Sequence, residues 1–179
     1  MKKAKEMADF CKKHNFGKSL TENLTLKHFG IIEKHLAPNE DVILCFMGLH
    51  NYKSMTSHDN NYAYAITNNR IIMAQKRITG EVSHTVLLNH INDISYKKGI
   101  ALGIITIDSS KEKFNVALEN VNSTKLYNLI QELIIRLKGI SQKSSSNDLD
   151  QLEKLKTLKD KGVITQREFE LKKKQILGI

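Results

Sequence analysis

The chain has 179 residues, with Lys+Arg 28 against Asp+Glu 19, a formal net charge of +9. That length suits one domain, or one with small appendages, and 40% hydrophobic with 26% charged residues is an ordinary soluble composition. No apolar run approaches the ~18 residues of a membrane span. No apolar stretch follows the basic start Met1-Lys2-Lys3-Ala4-Lys5-Glu6, so a signal peptide is not supported. Cys11 and Cys45 lack CxxC spacing, and neither a disulfide scaffold nor a zinc site follows from them. Reduced thiols in a cytoplasmic protein are the expectation. Zero Trp and 6% aromatic residues weigh against a broad stacking platform for single-stranded nucleic acid.

The basic excess is unevenly spread. Residues 1–37 carry eight Lys and four acids, 38–140 eleven bases and nine acids, and 149–179 eight bases and five acids. The middle is close to neutral, whereas a nucleic-acid-binding core normally shows a basic face of its own.

In chain order, residues 4–13 read as a short helix with Met7, Ala8, Phe10 and Cys11 at its apolar positions. Ser19-Leu20-Thr21-Glu22 has the form of a capping box, the Ser hydroxyl on one orphan N–H and the Glu reaching back. Leu20, Leu24, His28, Ile31, Ile32 and Leu36 follow at roughly helical spacing, and Pro38 ends the run. Seven short strands are then predicted over 42–47, 61–67, 70–74, 85–88, 91–96, 102–108 and 113–118, the spacing of an antiparallel sandwich or barrel. In the second, Tyr62, Tyr64 and Ile66 share one face and the small Ala63 and Ala65 the other. Asn68-Asn69 supplies a tight turn, because Asn tolerates the positive φ that hairpin turns need. Gly99 and Gly103 read as turn punctuation.

From about residue 123, Leu126, Leu129, Ile130, Leu133, Ile134 and Leu137 form an amphipathic stripe, with Gly139 where a C′ residue belongs. A small curved sheet has an open end, and such a helix can plug it. The polar, Ser-rich stretch 141–148 suits a flexible tether. Residues 149–179 read as a helix hairpin. Leu149, Leu152, Leu155 and Leu158 make one stripe. Gly162 supplies a left-handed C′ residue, with Val163 placed to pack on Leu158. Thr165-Gln166-Arg167-Glu168 is a second capping box, and Phe169, Ile176 and Leu177 are apolar positions beyond it. About 30 residues do not bury a core of their own, so this hairpin is expected to dock on something.

Residues 152–178 closely resemble the SHOCT motif, the short C-terminal domain of many bacterial and phage proteins. The pattern L-x-x-L-x-x-L-x-x-x-G-x-[IV]-T-x-x-E-F-x-x-x-K-x-x-[IL]-L is matched nearly throughout. Tyr64-Ala65-Ile66-Thr67-Asn68-Asn69-Arg70-Ile71-Ile72, then Gly80 and Leu87-Leu88-Asn89-His90-Ile91-Asn92-Asp93-Ile94, resemble bacterial PH-like domains of the YokE type. Together these resemblances imply an α+β protein: a PH-like seven-stranded antiparallel barrel closed by a C-terminal amphipathic helix, with N-terminal helices and a C-terminal helical hairpin. The domains would be 1–37, 38–140, a linker at 141–148 and the hairpin at 149–179. The family also implies an interaction or homo-oligomerisation module.

Candidate sites follow. Leu152, Leu155, Leu158, Val163, Phe169 and Ile176 are the expected protein-interaction face of the hairpin. Lys12, Lys13, Lys172, Lys173 and Lys174 are either contacts for phosphate or an anionic surface, weakening with salt, or simply solvated helix faces. A phosphoinositide head group would need several converging Lys/Arg, and the first hairpin loop offers only Lys53, with Asp59 nearby. Arg70 is expected to brace its hairpin. His50, His58 and Asp59 flank the first loop and would make a metal cluster only if the fold gathered them. His28 and His35 share a helical face without a third ligand. No catalytic constellation, cofactor motif or Gly-rich phosphate loop is present, so a non-enzymatic protein without cofactor is expected.

Overall fold

The computed structural model describes residues 1–177, and of residues 140–150 and 177 the backbone alone. The elements run α1 (Ala4–His14), α2 (Glu22–His35), β1 (Val42–His50), β2 (Asn61–Thr67), β3 (Arg70–Lys76), β4 (Glu81–Leu87), β5 (Ile91–Lys98), β6 (Leu102–Ser109), β7 (Lys113–Glu119), α3 (Asn120–Asp160) and α4 (Gln166–Leu177), with a 3-10 turn at Leu88–His90. Two compact units divide the chain, Met1–Ile135 and Arg136–Ile179. The seven strands make one antiparallel sheet in the order β4-β3-β2-β1-β7-β6-β5, curled into a half-barrel. All seven predicted strands are present; β2 matches its span and the other six are longer than their spacing suggested.

Strands β1 to β3 are buried on both faces, and their alternation is divided by size. Phe46, Tyr64 and Phe114 gather on the inner face, the Phe46 and Tyr64 rings stacked with centroids 4.7 Å apart. The opposite face offers Cys45, Ala63, Ala65 and Ala74, and these pack with Met7 and Cys11 of α1 and Phe29, Ile31 and Ile32 of α2. Small side chains on a strand leave a shallow surface on which a helix can lie close. The N-terminal helices thus belong to the same unit as the sheet.

β1 pairs with β2 along its length but with β7 only at Leu49↔Ala117 and His50↔Val116. Beyond those pairs the α1–α2 connection approaches β1 instead, with Met47 N–H donating to Phe16 O at 2.8 Å. Gly17, at φ +81, lies so close to the Met47 carbonyl that a Cβ would collide with it. α3 closes the other half of the sheet with Ser123, Leu126, Ile130, Leu133 and Ile134 buried. Gly103 is not a turn residue: it lies in β6, and a Cβ there would strike Ser123 of α3. That close approach lets Tyr96 Oη hydrogen-bond Ser123 Oγ at 2.8 Å and Thr124 Oγ1 at 3.0 Å.

Three local expectations are corrected. The cap of α2 is Thr21, whose Oγ1 accepts from Leu24 N–H at 3.1 Å. Because the helix starts at Glu22, that carboxylate falls at N1 rather than N3, and Ser19 Oγ is buried without a partner. Neither Asn68 nor Asn69 has positive φ. Their hairpin is tied instead by Thr67 Oγ1, which accepts from Asn69 N–H at 3.2 Å and Arg70 N–H at 3.0 Å. Gly139 does not end its helix: it lies inside α3 without a left-handed φ. Glycine in a helix interior costs about 1 kcal/mol, which by itself does not terminate a helix. The Ser-rich stretch 141–148 lies among the residues whose side chains are not described.

Arg70 braces its hairpin by bridging it to the α2–β1 connection. Its Nε donates to Glu40 Oε1 at 2.8 Å, its Nη2 to Glu40 Oε2 at 2.6 Å and to His35 O at 2.8 Å. Thr67 Oγ1 also donates to Glu40 Oε1 at 2.7 Å. The Arg70 guanidinium holds the buried Glu40 carboxyl down at about 2. Arg70→Met should therefore cost about 3–5 kcal/mol in urea unfolding, because it strands a buried carboxylate. Glu40→Gln added to it should recover part of the loss; a double variant no more stable than the single one would refute the coupling.

Acid should weaken this fold in two stages. Burial pushes His28 and His50 down from 6.5 to about 4, so the native state favours the neutral rings. Their contribution is complete above pH 6.5 and is lost as pH falls through that value toward 4. Glu40 adds a further loss below 4.5, continuing toward 2. His28 Nδ1 accepts Lys76 N–H at 2.7 Å, a bond that Gln can reproduce without titrating. Urea midpoints at about pH 7 and about pH 5 should differ less in His28→Gln than in the parent.

Candidate interaction surfaces

The C-terminal unit is a two-helix hairpin whose turn is built from its own backbone. At the end of α3, Gly162 takes φ +70. Val163 N–H donates to Leu158 O at 2.9 Å and Gly162 N–H to Lys159 O at 2.9 Å, the two bonds that define a Schellman ending. α4 then opens on the predicted capping box. Thr165 N–H donates to Glu168 Oε2 at 2.8 Å, and Glu168 N–H returns to Thr165 Oγ1 at 3.3 Å. The Thr165 N–H and, at 2.8 Å, the Thr165 hydroxyl both donate to the exposed Glu168 carboxylate and hold it below its usual range.

The apolar side chains of this hairpin are incompletely covered. Leu152, Leu155, Phe169 and Ile176 are half-buried, Leu158 is 40% exposed and Val163 66% exposed. Leu171, which the motif pattern leaves unassigned, is 58% exposed. Lys159 Nζ stands 5.1 Å from the Phe169 ring centroid, a cation–π contact over a half-buried aromatic. Among the described residues of Arg136–Ile179, none is buried.

The basic candidates lie on both units. Lys12 and Lys13 are exposed in the last turn of α1. Lys172 and Lys174 are exposed and Lys173 half-buried on α4. Lysines in a last turn complement the negative end of a helix dipole, so Lys12, Lys13 and Lys174 have a local role already.

Elsewhere the chemistry-bearing side chains are occupied structurally. His50 Nδ1 bonds the buried Tyr64 hydroxyl at 2.7 Å, His58 Nδ1 accepts Asn60 N–H at 3.0 Å, and Asp59 accepts from Asn51 at 2.9 Å. His28 faces the Lys76 amide, and His35 Nδ1 lies 2.8 Å from Ile31 O. The fold does not gather these groups, and among the described residues no three His, Cys, Asp or Glu could hold a metal ion. Nor, among them, is any helix long and apolar enough to cross a membrane.

A curled seven-stranded sheet capped by a helix and followed by a capped two-helix hairpin defines a PH-like protein with a SHOCT appendage. Residues 36–132 match the bacterial PH domain family, to which the chain belongs, and residues 150–177 match the short C-terminal domain. This pairing marks a bacterial interaction or binding module. No curated protein matches the chain. Similar solved structures include the Vps36 N-terminal PH domain (17% identity, 60% of this chain and 86% of that one, TM-score 0.43). The hSac2 domain of human phosphoinositide phosphatase Sac2 is 10% identical over 70% of this chain and 86% of its own, with TM-score 0.44. A DUF1696-family protein with a pleckstrin-homology domain from Shewanella loihica PV-4 is 16% identical over 66% and 98%, with TM-score 0.37.

Gly162 is the position on which the hairpin turn depends, and nothing lies within 4 Å of the Cβ it lacks. Gly162→Ala should therefore act through conformation alone, at about 1–2 kcal/mol for a left-handed residue. Faster amide exchange at Gly162, Val163 and Glu168, with unchanged protection in the sheet, is the expected reading.

Proposed function

We propose that this is a non-enzymatic, cytoplasmic homo-oligomerisation module in which hairpins of neighbouring chains cover one another's apolar faces. One observation supports the reading most: the hairpin's turn is capped on both sides, by the Gly162 ending and the Thr165–Glu168 box, yet none of the hairpin's described residues is fully buried. Capping fixes its shape. The exposed Leu158, Val163 and Leu171 then present apolar area, each such side chain gaining about 1.5–3 kcal/mol when fully covered. A surface organised in this way suits a partner with the same apolar character, and a second copy of the hairpin has it. The cytoplasm is the compartment in which two free thiols stay reduced.

Sedimentation of the full chain tests the reading. The parent should assemble with rising concentration, and Leu158→Ser/Val163→Ser/Leu171→Ser should remain monomeric with an unchanged thermal transition of the sheet, since these positions are exposed. A monodisperse monomer in both would overturn it. If the basic flanks instead bind nucleic acid or an anionic membrane surface, Lys12→Ala/Lys13→Ala/Lys172→Ala/Lys174→Ala will abolish a salt-sensitive retention on immobilised nucleic acid or anionic vesicles.

A further inference from the structure

Two thiols that stand 34 residues apart along the chain meet between α1 and β1. Cys11 Sγ and Cys45 Sγ are 3.8 Å apart, and Cys45 Sγ is 3.4 Å from Met7 O. A disulfide has S–S near 2.05 Å, so an approach of less than about 2 Å joins them. Both side chains are buried. Cys11, however, also lines a cleft of about 720 Å³ together with Lys12, Asn15, Ser19, Met47 and Leu118. The cleft lies beside the region where β1 and β7 cease to pair, and it offers a small neutral oxidant a way toward the α1 side of the pair.

We propose that Cys11 and Cys45 form a redox modification site, a dithiol that hydrogen peroxide converts to an intramolecular disulfide fastening α1 to β1. Peroxide attack comes first at Cys11, the residue of the pair that lines the cleft. One peroxide oxygen is transferred to its sulfur, giving a sulfenic acid and one water. The Cys45 sulfur then displaces that oxygen: the S–S bond forms, the S–O bond breaks, and hydroxide leaves with the Cys45 thiol proton as a second water. Two thiols and one peroxide become one disulfide and two waters. The hydrogen bond with Cys45 and burial both raise the Cys11 thiol above its ordinary value. Thiolate is therefore scarce, and the reaction is slow compared with that of an exposed low-pKa cysteine. The pair responds to sustained oxidation rather than to a brief pulse.

The disulfide removes freedom from the unfolded chain by closing the Cys11–Cys45 loop, and it pins a helix otherwise held by packing and a few hydrogen bonds. The full-length chain treated with hydrogen peroxide under native conditions tests this. Once denatured it should have no titratable thiol, a mass lower by two hydrogens at the pair and a Cys11–Cys45 cross-linked peptide. Its Tm should rise by several degrees, and dithiothreitol should reverse every change. Cys45→Ala should stop at oxygen adducts on Cys11, with no cross-link and no rise in Tm. Met55, 67% exposed, reports that oxidant was sufficient. Two titratable thiols in a chain whose Met55 is fully oxidised would overturn the proposal. So would separate oxygen adducts on the two sulfurs of the parent, or a disulfide formed only between chains.

Discussion

The first three strands must be covered on both faces, and that constraint organises the rest of the larger unit. A strand buried on one face alternates apolar and polar. Here β2 alternates large and small instead, with Tyr62, Tyr64 and Ile66 against Ala63 and Ala65. The large set fills the curl of the sheet, and the small set accepts α1 and α2. Without those helices the sheet would expose Cys45, Met47, Ile72 and three alanines to water. The bidentate Arg70–Glu40 pair reinforces the arrangement where the chain passes from helix to sheet. It joins the β2–β3 hairpin to the end of α2 through His35 O, so hairpin and helical layer are tied at one point.

Covering that face also decides where the sheet opens. The α1–α2 connection enters against Met47, and β1 meets β7 at only two residue pairs. Gly17 and Gly48 make the close contacts possible: a Cβ at Gly48 would collide with Val116. On the far side, α3 needs Gly103 for the same reason. Missing side chains thus permit three close approaches: the α1–α2 connection to β1, β1 to β7, and α3 to β6. The cleft lined by Cys11 and Ser19 also takes Gly17, Met47 and Gly48 into its wall.

Much of this was legible in the sequence, because period and punctuation carry it. Strand positions followed from short apolar runs at regular spacing, and the hairpin ends from Gly162 and Thr165-x-x-Glu168, local signals whose meaning needs no tertiary context. The failures share a cause. Ser19, Asn68 and Gly139 each have the residue type for a local role, and in each case neighbours decided otherwise: Thr21 took the cap, Thr67 took the turn, and α3 continued. What no local signal carries is long-range pairing. Nothing near Cys11 indicates Cys45, and nothing near Gly103 indicates Ser123. The alternation of Tyr and Ala in β2 was the one available hint that a second layer covers the sheet, since small residues in a strand are otherwise a poor use of buried surface.

The charge excess also acquires a physical reading. Lys12 and Lys13 at the end of α1, Lys159 at the end of α3 and Lys174 at the end of α4 all stand in a last turn, at the negative end of a helix dipole. Lys3 pairs with Glu33 at 3.1 Å and Lys34 with Glu81 at 3.4 Å, both at the surface, where such pairs contribute about 0–1 kcal/mol. Helices outside the sheet accumulate lysine for reasons internal to helices, and the near-neutral 38–140 segment shows that most of the excess does not belong to the PH-like core. Exposed apolar side chains occur on both units: Leu20, Met55, Ile78 and Ile100 stand in connections of the larger one, and Leu158, Val163 and Leu171 on the hairpin. On the hairpin the two kinds of surface interleave, with Lys154, Lys156 and Lys159 alternating with Leu152, Leu155 and Leu158 and Lys159 lying over the Phe169 ring.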